Sequence, residues 1–308
     1  MSKQLFYANE EDADVRIDVF LTRSLTDAPS RNWVQKIIEA GQVSVNGKVA
    51  KANHKLITGD EVAVDLVGNE LGQDLPPENI PLDIIYEDDY LIVINKPVGL
   101  LVHPAQGITT GTLVNALLYH CRPETGKALS DVNTEIRPGI VHRLDRETSG
   151  IIVAVKDNRA HVRLARQFEK HRVHKKYLAL VEGEINFDEG VVDAPLARHP
   201  FRHDKKAVAF DDAAKAAKTF YRVLRRFGKE ATLVALFPQS GRTHQLRVHM
   251  AYLGHPILGD DKYGKKSTFP RLALHAQSIA FKHPITDEGL EFSTPPPKEF
   301  LSPDLSQL

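Results

Sequence analysis

His142–Gly150 reads HRLDRETSG, and the chain continues as IIVAV from Ile151 to Val155. The apolar, β-branched run is a buried strand by composition and length. The polar segment before it is therefore a turn that feeds a sheet, a place where a rigid scaffold can present a reactive side chain. Asp145 lies in that turn between Arg143 and Arg146. Positive neighbours favour the charged form of a carboxylate, and a carboxylate in that form can act as nucleophile or base. Spacing alone leaves two readings open: a reactive carboxylate, or one arm of a surface ion pair beside a strand.

Other segments lie in order around this turn. They are YEDDYLIVINKPVGLLVHP (86–104), KKYLALVEG (175–183), SGRTHQLRVHM (240–250), GDDKYG (259–264) and LALHA (272–276). Together with HRLDRETSG they resemble the signature of the RluA-type pseudouridine synthases, the enzymes that isomerise uridine within RNA, and within them the RluD branch, which modifies large-subunit (23S) ribosomal RNA. The resemblance covers about residues 80–300, and several ordered matches are more specific than any lone motif. It implies that Asp145 is the catalytic residue, that Tyr177 is the active-site tyrosine, and that Arg242 pairs with Asp145. It further implies that Leu274 packs on the base or on Tyr177. Arg143 is expected to fill the space that a flipped uridine leaves, or to contact neighbouring phosphates. A contact of Arg242 with phosphate is an alternative to the pairing, and core packing is an alternative for Tyr177.

Residues 1–67 read as a separate small domain. Ile17, Phe20, Leu21 and Leu25 have helical spacing. A second helix is expected from Ser30, a capping residue, to Gly41, with Trp33, Ile37 and Ile38 on its core face. Val43–Ala50 alternates about Asn46-Gly47, a tight-hairpin signal, and the strand EVAVDLV follows Gly59-Asp60. With Arg16 and Ser30-Arg31, these features resemble the RNA-binding module of ribosomal small-subunit protein S4. That resemblance makes Arg31, Lys36, Lys48 and Lys51 candidate RNA contacts. Residues 68–80 are polar, contain a Pro-Pro pair, and read as a linker. The catalytic domain is expected over 81–300, and 301–308 as a tail.

In that domain DIIYE, YLIVINK, Ala216–Leu224 and Ala231–Phe237 read as strands. Helices are expected from Thr112, over Asn158–His171 with Val162, Ala165 and Phe168 buried, and over Gln245–Leu253. Residues 124–138 read as a loop. Strands and helices without βαβ repetition favour α+β. The resemblance implies a twisted, mainly antiparallel sheet with a central cleft.

The 308 residues suffice for two domains. Net charge is zero, yet basic residues concentrate over 161–177 and 198–229, and acidic ones over 10–18, 83–89 and 182–193. Such segregation fits a one-sided phosphate-binding surface. Cys121 is the only cysteine, which excludes an intrachain disulfide and fits a reducing compartment. The first residues are acidic without an apolar core, so no secretory signal is expected, and no apolar run has the length of a membrane span. Neither H-E-x-x-H nor C-x-x-C occurs, and GITTG (107–111) lacks the lysine of a nucleotide-binding loop. No metal and no small-molecule cofactor is expected. The chain is expected to work as a cytoplasmic monomer on ribosomal RNA or a pre-ribosomal particle, without a membrane. Rival readings are a noncatalytic ribosome-assembly protein, a synthase acting on transfer RNA, and a glycosidase. The last needs a second placed carboxylate, which no motif supplies.

Overall fold

The computed structural model describes residues 3–25, 31–65, 75–105, 108–122, 125, 128–130, 132, 137–202, 204–265 and 269–305. The chain forms two compact units. One holds Met1–Pro76 with Ser130–Pro138, the other Pro77–Leu129 with Gly139–Leu308.

In the first unit β1 (Lys3–Tyr7) is followed by α1 (Ile17–Ser24), α2 (Arg31–Glu39), β2 (Val43–Val45), β3 (Lys48–Val49) and β4 (Glu61–Asp65). The strands make an antiparallel sheet in the order β1-β4-β2-β3. Ile17, Phe20, Leu21 and Leu25 are buried with Val34, Ile37 and Ile38 against Val43, Val62 and Val64. The 3.6-residue spacing thus delivers one apolar face per helix to one face of the sheet. Asn46 and Gly47 both have positive φ (49° and 77°), as a two-residue hairpin requires. Asn46 Nδ2 also donates to the buried Asp60 carboxylate at 2.7 Å, which joins the two turns expected from sequence. The proposed Ser30 cap lies outside the described residues, as does most of the linker.

The second unit is built on a nine-stranded sheet. Its strands are β5 (Ile84–Glu87), β6 (Leu91–Lys96), β7 (Ser149–Val155), β8 (His174–Glu182), β9 (Glu189–Asp193), β12 (Lys218–Phe227), β13 (Ala231–Pro238), β14 (Leu274–Lys282) and β15 (Gly289–Ser293). The order is β5-β6-β7-β14-β8-β13-β12-β9, with β15 also paired to β14. Among the described strands, β7 and β14 are the parallel pair. A separate hairpin is formed by β10 (Leu196–Arg198) and β11 (Lys206–Val208). The helices are α3 (Leu113–His120), α4 (Asn158–Glu169), α5 (Gln245–Tyr252) and the short α6 (Lys298–Leu301). The architecture is α+β with a mainly antiparallel sheet, and α6 crosses the expected start of the tail.

Two expectations need correction. Val162 is exposed, and the buried face of α4 carries Ala160, His161 and Leu164, with Phe168 half-buried. Residues 160, 164 and 168 form the core stripe at i, i+4 spacing, and Val162 lies half a turn away from it. The charge segregation is also partly local, because the acidic run 182–193 meets part of the basic run 198–229. Antiparallel pairing of β9 with β12 sets acidic residues against basic ones. Lys218 meets Asp193 at 2.6 Å, Arg222 meets Glu189 at 3.3 Å, and Arg226 meets Asp188 at 2.7 Å.

Candidate active site

The turn that carries Asp145 is fastened at several points. At its start, His142 Nε2 accepts the Val153 amide at 2.9 Å, and the ring stacks on Phe168 at 4.8 Å. Burial pushes the His142 pKa down to about 3, so the ring is a neutral acceptor. At its end, Gly150 has φ 107°, and a Cβ there would lie 2.2 Å from the Ala276 carbonyl. Only glycine lets β7 approach β14 this closely. In the middle, the Arg146 carbonyl accepts the Gly99 amide at 2.9 Å and Lys96 Nζ at 3.1 Å. Arg146 Nε returns a bond to the Gly99 carbonyl at 3.0 Å.

Lys96 is fully buried at the end of β6. Its ammonium donates to the carbonyls of Pro97 (2.8 Å), Leu100 (2.9 Å) and Arg146. Burial lowers its pKa to about 8. Sequence reasoning gave Lys96 no role. The available signal was a lysine closing an apolar strand before Pro97 and Gly99, because a buried ammonium needs acceptors.

The positive partner of Asp145 is Arg247. Its Nη1 lies 3.4 Å from Asp145 Oδ2, while Nε and Nη2 grip both oxygens of the buried Asp260 at 2.7 Å. Burial opposes the Arg247 charge, but the hydrogen bonds and charges of Asp260 and Asp145 outweigh it and raise the pKa. Asp260 in turn accepts the amides of Lys262 and Tyr263 at 3.0 and 3.2 Å. GDDKYG is therefore a carboxylate turn that aims Arg247.

The expected Arg242–Asp145 pair is not formed. Arg242 is exposed, and its Nε donates to the Ala216 carbonyl at 3.3 Å. It precedes α5, in a turn where Gln245 Oε1 accepts the Arg242 amide at 3.1 Å. Arg247 lies in the first turn of α5, where Gln245–Met250 are all buried. A guanidinium within such a run must be paired, and that burial was the missed signal.

Tyr177 on β8 is half-buried beside the core cluster that contains Leu274, itself 3% exposed. Burial first, and the Asp145 charge second, push the Tyr177 hydroxyl well above the usual phenol range. Tyr177 and Asp145 therefore share one electrostatic environment. Lys175, two residues earlier, donates to the Ser240 carbonyl at 3.3 Å, and burial lowers its pKa to about 8. Arg143 is exposed, with Nη1 3.3 Å from His103 Nε2. His249 is internal, bonded to Thr219 Oγ1 and the Ala194 carbonyl at 2.9 and 3.0 Å. In the N-terminal unit, Lys48 and Lys51 are exposed. Arg31 and Lys36 lie on α2, but their side chains fall outside the described residues. Among the described residues there is no cluster of metal-ligating side chains, and no helix is long and apolar enough to cross a membrane.

One chain that carries both an S4-like sheet-and-helix unit and a mainly antiparallel sheet presenting an arginine-held aspartate belongs to an RNA-modifying class of protein. Comparison with known proteins agrees. Residues 90–252 match the RNA pseudouridylate synthase family, and residues 15–62 match the S4 domain. The chain is 44% identical to an uncharacterized RNA pseudouridine synthase of Bacillus subtilis, over 95% of this chain and 94% of that protein. It is 40% identical to the ribosomal large subunit pseudouridine synthase D of Zymomonas mobilis, over 94% and 93%. Among solved structures, human RNA pseudouridylate synthase domain containing 1 superposes with a TM-score of 0.56 at 29% identity, covering 71% of this chain and 85% of that one. The chain belongs to the RNA pseudouridine synthase family, whose members convert uridine to pseudouridine in RNA.

Proposed function

We propose that this enzyme acts on uridine in large-subunit ribosomal RNA, free or in a pre-ribosomal particle, with Asp145 as the catalytic carboxylate. The observation that carries the assignment is the shared guanidinium. Arg247 is locked by two 2.7 Å bonds to Asp260 and turns its remaining Nη1 to Asp145. A fixed cation orients the carboxylate and stabilises its charge through the reaction.

The isomerisation breaks the bond between uracil N1 and ribose C1′, rotates the base, and forms a bond from C5 to C1′. The C5 proton leaves at the end, and N1, freed from C1′, ends up protonated, so the product is an isomer of the substrate. Asp145 serves either by attacking C1′ or by taking a proton from C2′, and both routes require its negative charge. In this reading Tyr177 stacks on the detached base and relays the C5 proton. Its hydroxyl is held protonated by burial and by Asp145, so it fits a relay better than a standing base. The ribosomal substrate is supported by relatives named large subunit pseudouridine synthase D in three bacteria. Residues 1–67, with Lys48 and Lys51 exposed, supply RNA affinity, and residues 81–300 supply the chemistry. The protein acts as a cytoplasmic monomer in this reading.

Asp145→Asn keeps the shape and removes the charge. It should abolish pseudouridine formation on large-subunit RNA while circular dichroism and RNA affinity stay near wild type. A well-folded Asp145→Asn enzyme that forms pseudouridine at a near-normal rate refutes the assignment. Chemical mapping of pseudouridine in ribosomal RNA from a strain lacking the protein tests the substrate.

A further inference from the structure

His244 has no part in the chemistry above, yet its backbone is left-handed (φ 57°, ψ 18°), a conformation that costs a side chain with a Cβ energy. The turn brings its ring between two groups. Nδ1 lies 2.7 Å from the Tyr263 hydroxyl, and Nε2 lies 4.0 Å from Asp145 Oδ2, the oxygen that also faces Arg247. Tyr263 is itself held in place. Its hydroxyl accepts the Lys206 amide at 2.8 Å, and its ring faces the Arg247 guanidinium at 5.2 Å and the Lys205 ammonium at 5.7 Å. Lys206 opens β11, so Tyr263 fastens the β10–β11 hairpin, which carries Arg198, Arg202 and Lys205, to His244 at the start of α5. Lys205 Nζ also bonds the Lys262 carbonyl, and Lys262 Nζ reaches Asp204 Oδ2 at 3.2 Å.

The hydrogens fix the direction of this chain. Burial keeps the His244 pKa below the usual histidine value, against the pull of Asp145, so the ring carries one proton. One Tyr263 oxygen lone pair receives the Lys206 N–H, and the phenolic hydrogen is available to the Nδ1 lone pair. The imidazole proton then sits on Nε2 and points toward the carboxylate. The opposite tautomer would turn a lone pair toward a carboxylate, which is repulsive. A partner on one ring nitrogen sets the state of the other, and contacts to reacting groups are often long before substrate is bound.

We propose that Tyr263 and His244 form a tether from the basic β10–β11 hairpin to Asp145, in which Tyr263 sets the His244 tautomer and RNA seated on the hairpin brings His244 Nε2–H onto the Asp145 carboxylate. His244 is a positioning residue that orients the carboxylate and takes no proton in the reaction. The inference rests on Asp145 being the catalytic residue.

The test pairs nuclear magnetic resonance of ¹⁵N-histidine-labelled protein with single-turnover kinetics on a large-subunit ribosomal RNA transcript. The wild type should show His244 protonated at Nε2, and Tyr263→Phe should mix the tautomers and slow the chemical step. His244→Leu should lower the single-turnover rate about tenfold with RNA affinity unchanged. His244→Gln, which keeps an N–H donor near the Nε2 position, should recover most of that loss. Leucine and glutamine meet the same left-handed backbone, so their difference reports the donor. The proposal is overturned by an Nδ1-protonated His244 in the wild type, by a wild-type rate in His244→Leu, or by a His244→Gln rate as low as that of His244→Leu. If the leucine variant does not fold, Tyr263→Phe decides, and an unchanged tautomer and rate there overturn the tether. Asp145→Asn in the same assay separates the two levels. An inactive Asp145→Asn beside an unimpaired His244→Leu refutes the tether alone, whereas an active Asp145→Asn removes the reading on which it stands.

Discussion

Replacing Lys96 by methionine keeps length and removes both the charge and three donors. Two effects oppose each other. The bonds to the carbonyls of Pro97, Leu100 and Arg146 are charge-assisted, and losing them costs on the order of 4–6 kcal/mol in total. The burial cost of the ammonium is recovered at the same time. A pKa lowered from 10.5 to about 8 corresponds to about 3 kcal/mol. The net loss of stability should be only about 1–3 kcal/mol, small enough for the protein to stay folded. Activity should suffer far more. The Arg146 carbonyl is the anchor next to Asp145, and a displacement of about 1 Å at a reacting group costs about 100-fold in rate. The pH dependence has a defined sign. Lys96 is a base with a depressed folded pKa, so its charge burdens the folded state below pH 8. Between about 8 and 10.5 the unfolded chain binds more protons, and that burden is relieved as pH rises. Urea unfolding of wild type and Lys96→Met from pH 7 to 10.5 should show the wild type gaining relative stability through that window. Pseudouridine formation in large-subunit ribosomal RNA on the same preparations gives the rates. A variant within threefold of the wild-type rate, taken as about 0.7 kcal/mol in the barrier, would refute the positioning argument.

The two arginines of SGRTHQLRVHM should separate cleanly. Arg247→Ala strands the buried Asp260 and should cost about 3–5 kcal/mol and at least about 100-fold in rate, whereas Arg242→Ala should change stability by less than about 0.5 kcal/mol. Equal effects in thermal melts and turnover would contradict the geometry. Tyr177→Phe keeps the ring and should lower turnover by about 100-fold with near-normal RNA binding; a wild-type rate would reduce Tyr177 to stacking. Gly150→Ala drives a Cβ to within 2.2 Å of the Ala276 carbonyl, and chemical denaturation should show a loss of about 3 kcal/mol or more.

Local signals carried much of this protein into view. Hydrophobic periodicity marked α1, α2, α4 and most of the long strands, because a period of 2 or 3.6 is imposed by burying one face. Asn46-Gly47 marked its hairpin because both residues accept positive φ. The family was legible through ordered motifs, those that hold Asp145 and Tyr177 among them, and its assignment rested on their order along the chain. Some short elements were not legible. The strands β1, β9, β10, β11 and β15 are five residues or fewer, and no turn signal such as Asn46-Gly47, which exposed the equally short β2 and β3, marked them.

The sequence by itself determined the family, the two-domain order and the presence of a carboxylate between arginines. Which arginine serves that carboxylate was decided by tertiary structure. Arg242 and Arg247 are equivalent in composition and lie in one motif, but only Arg247 enters a buried helical turn opposite Asp260. The same holds for Lys96, which meets the Arg146 carbonyl across 50 residues, and for the acidic and basic runs that β9 and β12 neutralise against each other. Periodicity and turn chemistry are local and can be read along the chain, whereas the partner of a buried charge is fixed by which distant strands and turns close around it.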